Sequence, residues 1–209
     1  MKTHVQNDFQ KLLRERRSVR KFTHDPVPAE LITAAIDDVR FSPTPTNRQC
    51  YKFIGVSDPL ILQSMRIDVL ARIEEIAARL APETATSFKE YAGWFTFFDQ
   101  APLVLFGLYR LFASRLPDGE ESSRSLEGIA ELQAFGGAIH ALILSLHARG
   151  LGSCWMSGPL IAADKLETLL AVESPWRLGA VIPVGKPAQK PVCPRKPDSA
   201  TVFSYFPAS

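Results

Sequence analysis

The chain is poor in the residues that build covalent or metal-centred scaffolds. It has only three cysteines in 209 residues, Cys50, Cys154 and Cys193. They are odd in number and far apart, which fits neither a disulfide framework nor a CxxC metal or redox site, so they read as reduced and mostly structural. Histidine is scarce too, at four. His140 and His147 share a helical stretch, but no HExxH motif or acidic third ligand accompanies them, and no metal site is expected. There is no GxSxG elbow, no P-loop and no GxGxxG after a strand, so covalent hydrolysis is unsupported. Nowhere do about 18 apolar residues follow one another. The opening MKTHVQNDFQ has no apolar core of a signal peptide, and the expectation is a cytoplasmic protein without membrane contact.

Neither sign of charge dominates, with 24 Lys+Arg against 22 Asp+Glu. At 46% hydrophobic and 22% charged residues, the composition is that of an ordered chain able to bury a sizeable core. The balance hides a local excess. Arg14 to Lys21, RERRSVRK, holds five cations and one Glu, and without it the chain carries 19 cations against 21 acids.

Periodicity gives the elements. A helix is predicted over Asn7 to Glu15 with Asn7 as its cap, and a second opens at Pro28 with Leu31, Ala35 and Val39 on one face. SPTPT is a loop leading into the strand YKFIGVS. Pro59 to Leu80 reads as a long amphipathic helix and Glu83 to Phe98 as an aromatic-rich one broken near Gly93. PLVLFGLYR has the near-continuous apolar run of a central strand, and Arg115 to Arg124 is a polar loop. Leu126 to Arg149 is the longest regular element, apolar on most sides. Gly136 and Gly137 would let another backbone approach, in the core or at a dimer interface. GSCWM follows as a short strand or loop, Pro159 to Val172 as a helix and LGAVIPVG as the last strand. Without regular βαβ alternation, this order predicts an α+β sandwich rather than a dinucleotide-binding domain of the Rossmann type.

If RRSVRKF is extended, Arg16, Ser18 and Arg20 share one face and Arg17, Val19 and Lys21 the other. Two guanidinium groups around a hydroxyl suit a phosphate, although on spacing alone a solvated basic turn is the simpler reading. A nucleic-acid surface is disfavoured because the rest of the chain is net acidic. SPTPTNRQCYKF, residues 42–53, supplies Thr44, Thr46, Asn47 and Gln49, suited to a polar heterocycle or sugar alcohol, or simply to a helix end and turn. GLGSCWMSGP offers close backbone approach at Gly150, Gly152 and Gly158, or merely a helix stop and restart. Arg195 and Lys196 sit in a basic, Pro-rich tail, where they suit a phosphate or plain solubility.

Together, RRSVRKF, SPTPTNRQCYKF, GLGSCWMSGP and IPVGKP with PRKP stand in the order and spacing of the FMN-dependent nitroreductase family. The chain resembles that family from about Val5 to Pro197. The resemblance implies one domain over residues 1–209, with its core at about 5–197 and a tail at 198–209. It implies a nitroreductase-like α/β/α sandwich, with a small mixed sheet around a long central helix, and a homodimer holding FMN at its interface. By the same resemblance, Arg16, Arg17, Ser18 and Arg20 bind the cofactor, with Arg195 and Lys196 adding phosphate cations. Pro43, Thr44, Pro45, Asn47 and Gln49 meet the cofactor from the partner subunit or the adjacent loop. Met156, Ser157 and Gly158 line the flavin, the last two offering backbone N–H groups. Trp94, Phe95, Phe97 and Phe98 could stack on a planar acceptor, with Trp94 and Phe98 as the substrate-binding candidates and core packing as the alternative for such aromatics. No side-chain acid or base is implied. The implied reaction passes a hydride from NADH or NADPH through FMN to an electrophilic small molecule such as a nitroaromatic or quinone, in ping-pong order. A flavin or deazaflavin binding or maturation protein on the same scaffold is the alternative. His140-Ala141 and Ser157 depart from residues common in the family, which bears on substrate choice and flavin tuning. No nucleic-acid or membrane partner is implied.

Overall fold

Seven residues, Leu103–Tyr109, form a strand that is buried along most of its length, as its apolar run requires. In the computed structural model, which describes residues 4–112 and 128–206, this strand (β2) lies between β1 (Tyr51–Val56) and β4 (Arg177–Gly185). The two-residue strand β3 (Gly152–Ser153) pairs with the far side of β4, giving the order β1-β2-β4-β3. All three ladders are antiparallel, which corrects the expected mixed sheet. A parallel direction survives only as an isolated bridge, Ser18 to Ser153, because the segment that supplies it meets β3 at that one point before running on to Lys186.

Side-chain alternation sends the sheet's residues into two separate cores. On one face Val104, Phe106, Leu108 and Val181 pack with Met65 and Val69 of helix α3 (Pro59–Ala77). On the other, Leu105, Ala180, Ile182 and Val184 meet helix α2 (Ala29–Val39) and the long apolar helix Ile129–Ala148. The result is an α/β/α sandwich. The long helix, α5 below, covers one face of the sheet together with α2; by length and composition it could cross a membrane, but Phe135, Ile139, Leu142 and Leu146 are buried against the strands. Ser145 on α5 donates a hydrogen bond to Asp38 on α2 at 2.6 Å, and Arg149 pairs with the same carboxylate at 2.9 Å. The Ser145 bond, more than Arg149, holds the Asp38 carboxyl below its usual range.

Several boundaries move. Helix α1 runs His4–Glu15, so Asn7 lies inside it rather than capping it. Helix α3 is capped by the Asp58 carboxylate, which accepts from Leu60 N–H at 2.8 Å. Helix α4 (Pro82–Ala92) stops at Gly93 as expected, and the aromatic segment beyond it continues as 3-10 turns, Gly93–Phe95 and Phe97–Gln100. The predicted helix from Pro159 becomes a 3-10 turn, Gly158–Ala162, followed by a short helix α6 (Ala163–Leu169). The polar loop Arg115 to Arg124 and the predicted helix start at Leu126 lie outside the described residues. Near the end of the chain, α7 is a single turn, Ser199–Val202.

Candidate functional site

Beyond α1, the cationic segment runs extended along the sheet's open edge. Val19 N–H donates to Ser153 O, Thr23 N–H to Lys186 O, and Ala188 N–H to Lys21 O, each at 2.9 Å. Val19 and Phe22 turn inward and are buried, which fixes the facing of their neighbours. The Val19 side chain reaches within 2.7 Å of where a Cβ on Gly152 would stand. Gly152→Ala should therefore destabilise the protein by about 1–3 kcal/mol through overpacking. A melting curve unchanged by that substitution would show that the contact has no such role.

Facing away from Val19, Arg16, Ser18 and Arg20 line a cleft of about 1170 Å³, which Trp94 and Lys196 also line. Arg17 and Lys21, placed on the opposite face by strict alternation, line it as well. The Arg17 guanidinium is nevertheless partly committed elsewhere. Its Nη1 donates to Arg16 O at 2.6 Å and to Arg14 O at the end of α1, a C-terminal capping arrangement. Arg195 is exposed and is not among the residues lining the cleft.

A smaller cavity of about 540 Å³ adjoins the first and shares Arg20, Trp94 and Phe97 with it. The Arg20 guanidinium carbon lies 5.8 Å from the centroid of the Trp94 ring, which is 63% exposed. Cys154, Met156 and Gly158 line the far side. Burial pushes the Cys154 thiol pKa up, keeping it protonated at neutral pH. Met156 exchanges both backbone hydrogen bonds with Val181 at 3.0 Å, so its main chain is already occupied. Ser157 and Gly158 donate their N–H groups to no backbone carbonyl among the described residues. A Cβ on Gly158 would fall 2.1 Å from the Phe95 ring, so this glycine is required by packing within the chain itself.

Phe98 does not reach either cavity. It is 0% exposed, in the core beside α3, because the 3-10 turn directs its ring inward while Phe97 lines the cleft. The substrate-contacting role expected for Phe98 is therefore corrected. Gln100 and Gln189 line the cleft without having been singled out from sequence. The extended, Pro-rich tail was the available signal for Gln189.

The 43–49 loop lies apart from these residues. Thr46, Asn47 and Gln49 have φ of 48°, 57° and 47°, unusual for non-glycine residues and a sign of stored backbone strain. Gln49 N–H donates to Thr44 Oγ1 at 3.0 Å, which uses that hydroxyl to shape the turn. Arg48 pairs with Glu131 of α5 at 3.7 Å, and Cys50 Sγ donates to Glu131 O at 3.6 Å. Pro43, Thr44, Pro45, Asn47 and Gln49 line neither cavity. The adjacent-loop alternative therefore does not hold within one chain.

The family model described as "Nitroreductase family" matches residues 13–186, taking in both the cationic edge and the 152–158 turn. The chain belongs to the nitroreductase family. It is thereby an oxidoreductase of flavoprotein type. Among curated relatives, YfhC of Bacillus subtilis (strain 168), provisionally named an NAD(P)H nitroreductase, is 23% identical over 188 residues, 90% of this chain and 89% of the relative. A BluB-like flavoprotein from Clostridium difficile 630 has the same fold at a TM-score of 0.85 and 24% identity, covering 95% of this chain and 98% of its own. An iodotyrosine deiodinase solved with FMN and 3-iodo-L-tyrosine matches at a TM-score of 0.69 and 22% identity, over 96% and 99% of the two chains. The nitroreductase fold thus accommodates more than one reductive chemistry.

Proposed function

We propose that this nitroreductase-family protein is a single-domain, FMN-dependent oxidoreductase that takes a hydride from NADH or NADPH and delivers it to an electrophilic small molecule, such as a nitroaromatic or quinone. One observation carries the reading. Arg16, Arg20 and Lys196 line the same cleft as Ser18, and none of these cations has an ion pair among the described residues. Such a donor set fits a phosphate monoester, with bidentate guanidinium donors, a hydroxyl and a point charge. At about 1170 Å³, the cleft has room for a flavin and a planar second molecule.

When bound, FMN would supply the hydride-transfer chemistry. The chain holds and orients. Arg16, Ser18, Arg20 and Lys196 anchor the phosphate end. Trp94 offers its exposed face to a planar partner, and Arg20 beneath it adds positive charge. The N–H groups of Ser157 and Gly158 are suited to polar atoms on the ring edge. The 43–49 loop, remote from its own cleft, serves the cleft of a second copy in a homodimer. The exposed face of α5, where Leu132 and Gly137 stand beside Gln133 and His140, is suited to packing between the copies.

Purified protein reconstituted with FMN should show a flavin spectrum, bleach anaerobically with NADH or NADPH, and recover its colour when a nitroaromatic or quinone is added. Size-exclusion chromatography should give a dimer. A protein that takes up no FMN overturns the assignment. One that binds FMN but is not reduced by either nicotinamide is a flavin carrier rather than this enzyme.

A further inference from the structure

The positive charge on the main cleft exceeds what a single phosphate neutralises. Six cations line it, Arg14, Arg16, Arg17, Arg20, Lys21 and Lys196, against one carboxylate, Glu90. None of the six is ion-paired among the described residues. A phosphate monoester brings about 1.5 to 2 negative charges at pH 7, leaving the wall with an excess of roughly three positive charges.

The excess is not spread evenly. Arg16, Arg20 and Lys196 line the cleft with Ser18 and are assigned to the cofactor phosphate above, while Arg17 is partly tied to carbonyl oxygens at the end of α1. That leaves Arg14, in the last turn of α1, and Lys21, just beyond Arg20. Both are exposed, both line the cleft, and neither side chain makes a hydrogen bond or ion pair among the described residues. The solvation cost of keeping them is small, and a second anion entering the cleft gains from both.

We propose that Arg14 and Lys21 form a second anion subsite, which receives a carboxylate or phosphate carried by the molecule that exchanges hydride with the cofactor. The inference rests on the FMN reading of the cleft and adds the charge of the second substrate to it. Because nicotinamide and acceptor use the cleft in turn, the anion has two sources: the extra phosphate that distinguishes NADPH from NADH, or an acidic group on the acceptor. Attraction of this kind raises capture rate and selectivity and weakens with salt.

The test is an equilibrium titration of oxidised, FMN-loaded protein, followed by the change in flavin absorbance. The ligands are 4-nitrobenzoate against 4-nitrobenzamide, and NADP⁺ against NAD⁺, each at low and high salt. In at least one pair the wild-type protein should bind the more anionic member about tenfold more tightly at low salt, with a smaller preference at high salt. In the Arg14→Gln/Lys21→Gln double variant that preference should fall to about twofold or less. A preference confined to the nitrobenzoate pair identifies the acceptor as the source, and one confined to the nicotinamide pair identifies the reductant. Retained FMN with no anion preference in either pair, or a preference that survives the double substitution, overturns the subsite alone. Wild-type protein that holds no FMN overturns the cofactor reading and the subsite with it, and its spectrum shows this before any ligand is added.

Discussion

Truncating Phe98 to alanine should lower the free energy of unfolding by about 3–5 kcal/mol, measured by urea denaturation. The ring is fully buried and belongs to the same core cluster as Met65, Val69 and Phe106, so its removal leaves a void lined by groups that cannot collapse into it. A loss of that size is a large share of the roughly 5–15 kcal/mol that holds a typical domain folded. Phe98→Leu should cost much less, since it retains most of the apolar volume. The pair of variants separates two roles for this aromatic. A ring that stacked on an acceptor would raise KM on truncation and leave stability nearly intact. An unfolding midpoint unchanged in Phe98→Ala would contradict the core placement.

Loss of both Arg16 and Arg20 is the second large effect, and it falls on the cofactor rather than on the fold. Hydrogen bonds to charged groups contribute about 1.5–3 kcal/mol each, so the double alanine variant should bind FMN about 10²- to 10⁴-fold more weakly. Fluorescence titration of apoprotein with FMN measures this directly. Stability should change little, because Arg20 is exposed and neither residue is ion-paired among the described residues. Arg20→Lys should recover only part of the affinity, as a lysine offers a point charge without the paired donors of a guanidinium. The Trp94 contact adds a second reason for the loss at Arg20, although at an exposed ring it contributes only about 0.5–1 kcal/mol. An FMN dissociation constant unaltered in the double variant would remove the phosphate assignment.

Local pattern carried much of this architecture. The apolar run of β2 identified the central strand, and the spacing of Leu31, Ala35 and Val39 placed one face of α2 on the core. Alternation through Arg16 to Phe22 separated Val19, which is buried, from Arg16, Ser18 and Arg20, which line the cleft. It misplaced Arg17 and Lys21, which both line the cleft; at Arg17 the chain is still leaving a helix, and the side chain folds back onto the carbonyls of α1. The aromatic stretch around Trp94 was harder for a related reason. Its 3-10 turns change the angular step per residue, so a helical wheel cannot separate Phe97, in the cleft, from Phe98, in the core. The 43–49 loop was recognisable as a loop, but nothing local announces that three non-glycine residues there adopt positive φ. The shortness of β3, two residues, likewise depends on tertiary pairing with β4 rather than on its own pattern.

The cleft's walls come from opposite ends of the described chain, residues 13–21 and 189–196, with residues 90–100 between them. That arrangement sets an order of assembly. During synthesis the cationic segment emerges early, but the backbone groups it pairs with, at Ser153, Lys186 and Ala188, emerge last. Until then its arginines are solvated and can hold an anion only loosely. Cofactor capture is therefore a late event, coupled to closure of the sheet's edge and not to the nascent N-terminus. Flavin supply thus acts on a nearly finished fold: it stabilises the docked edge by mass action and leaves the earlier packing of the two cores to proceed without it.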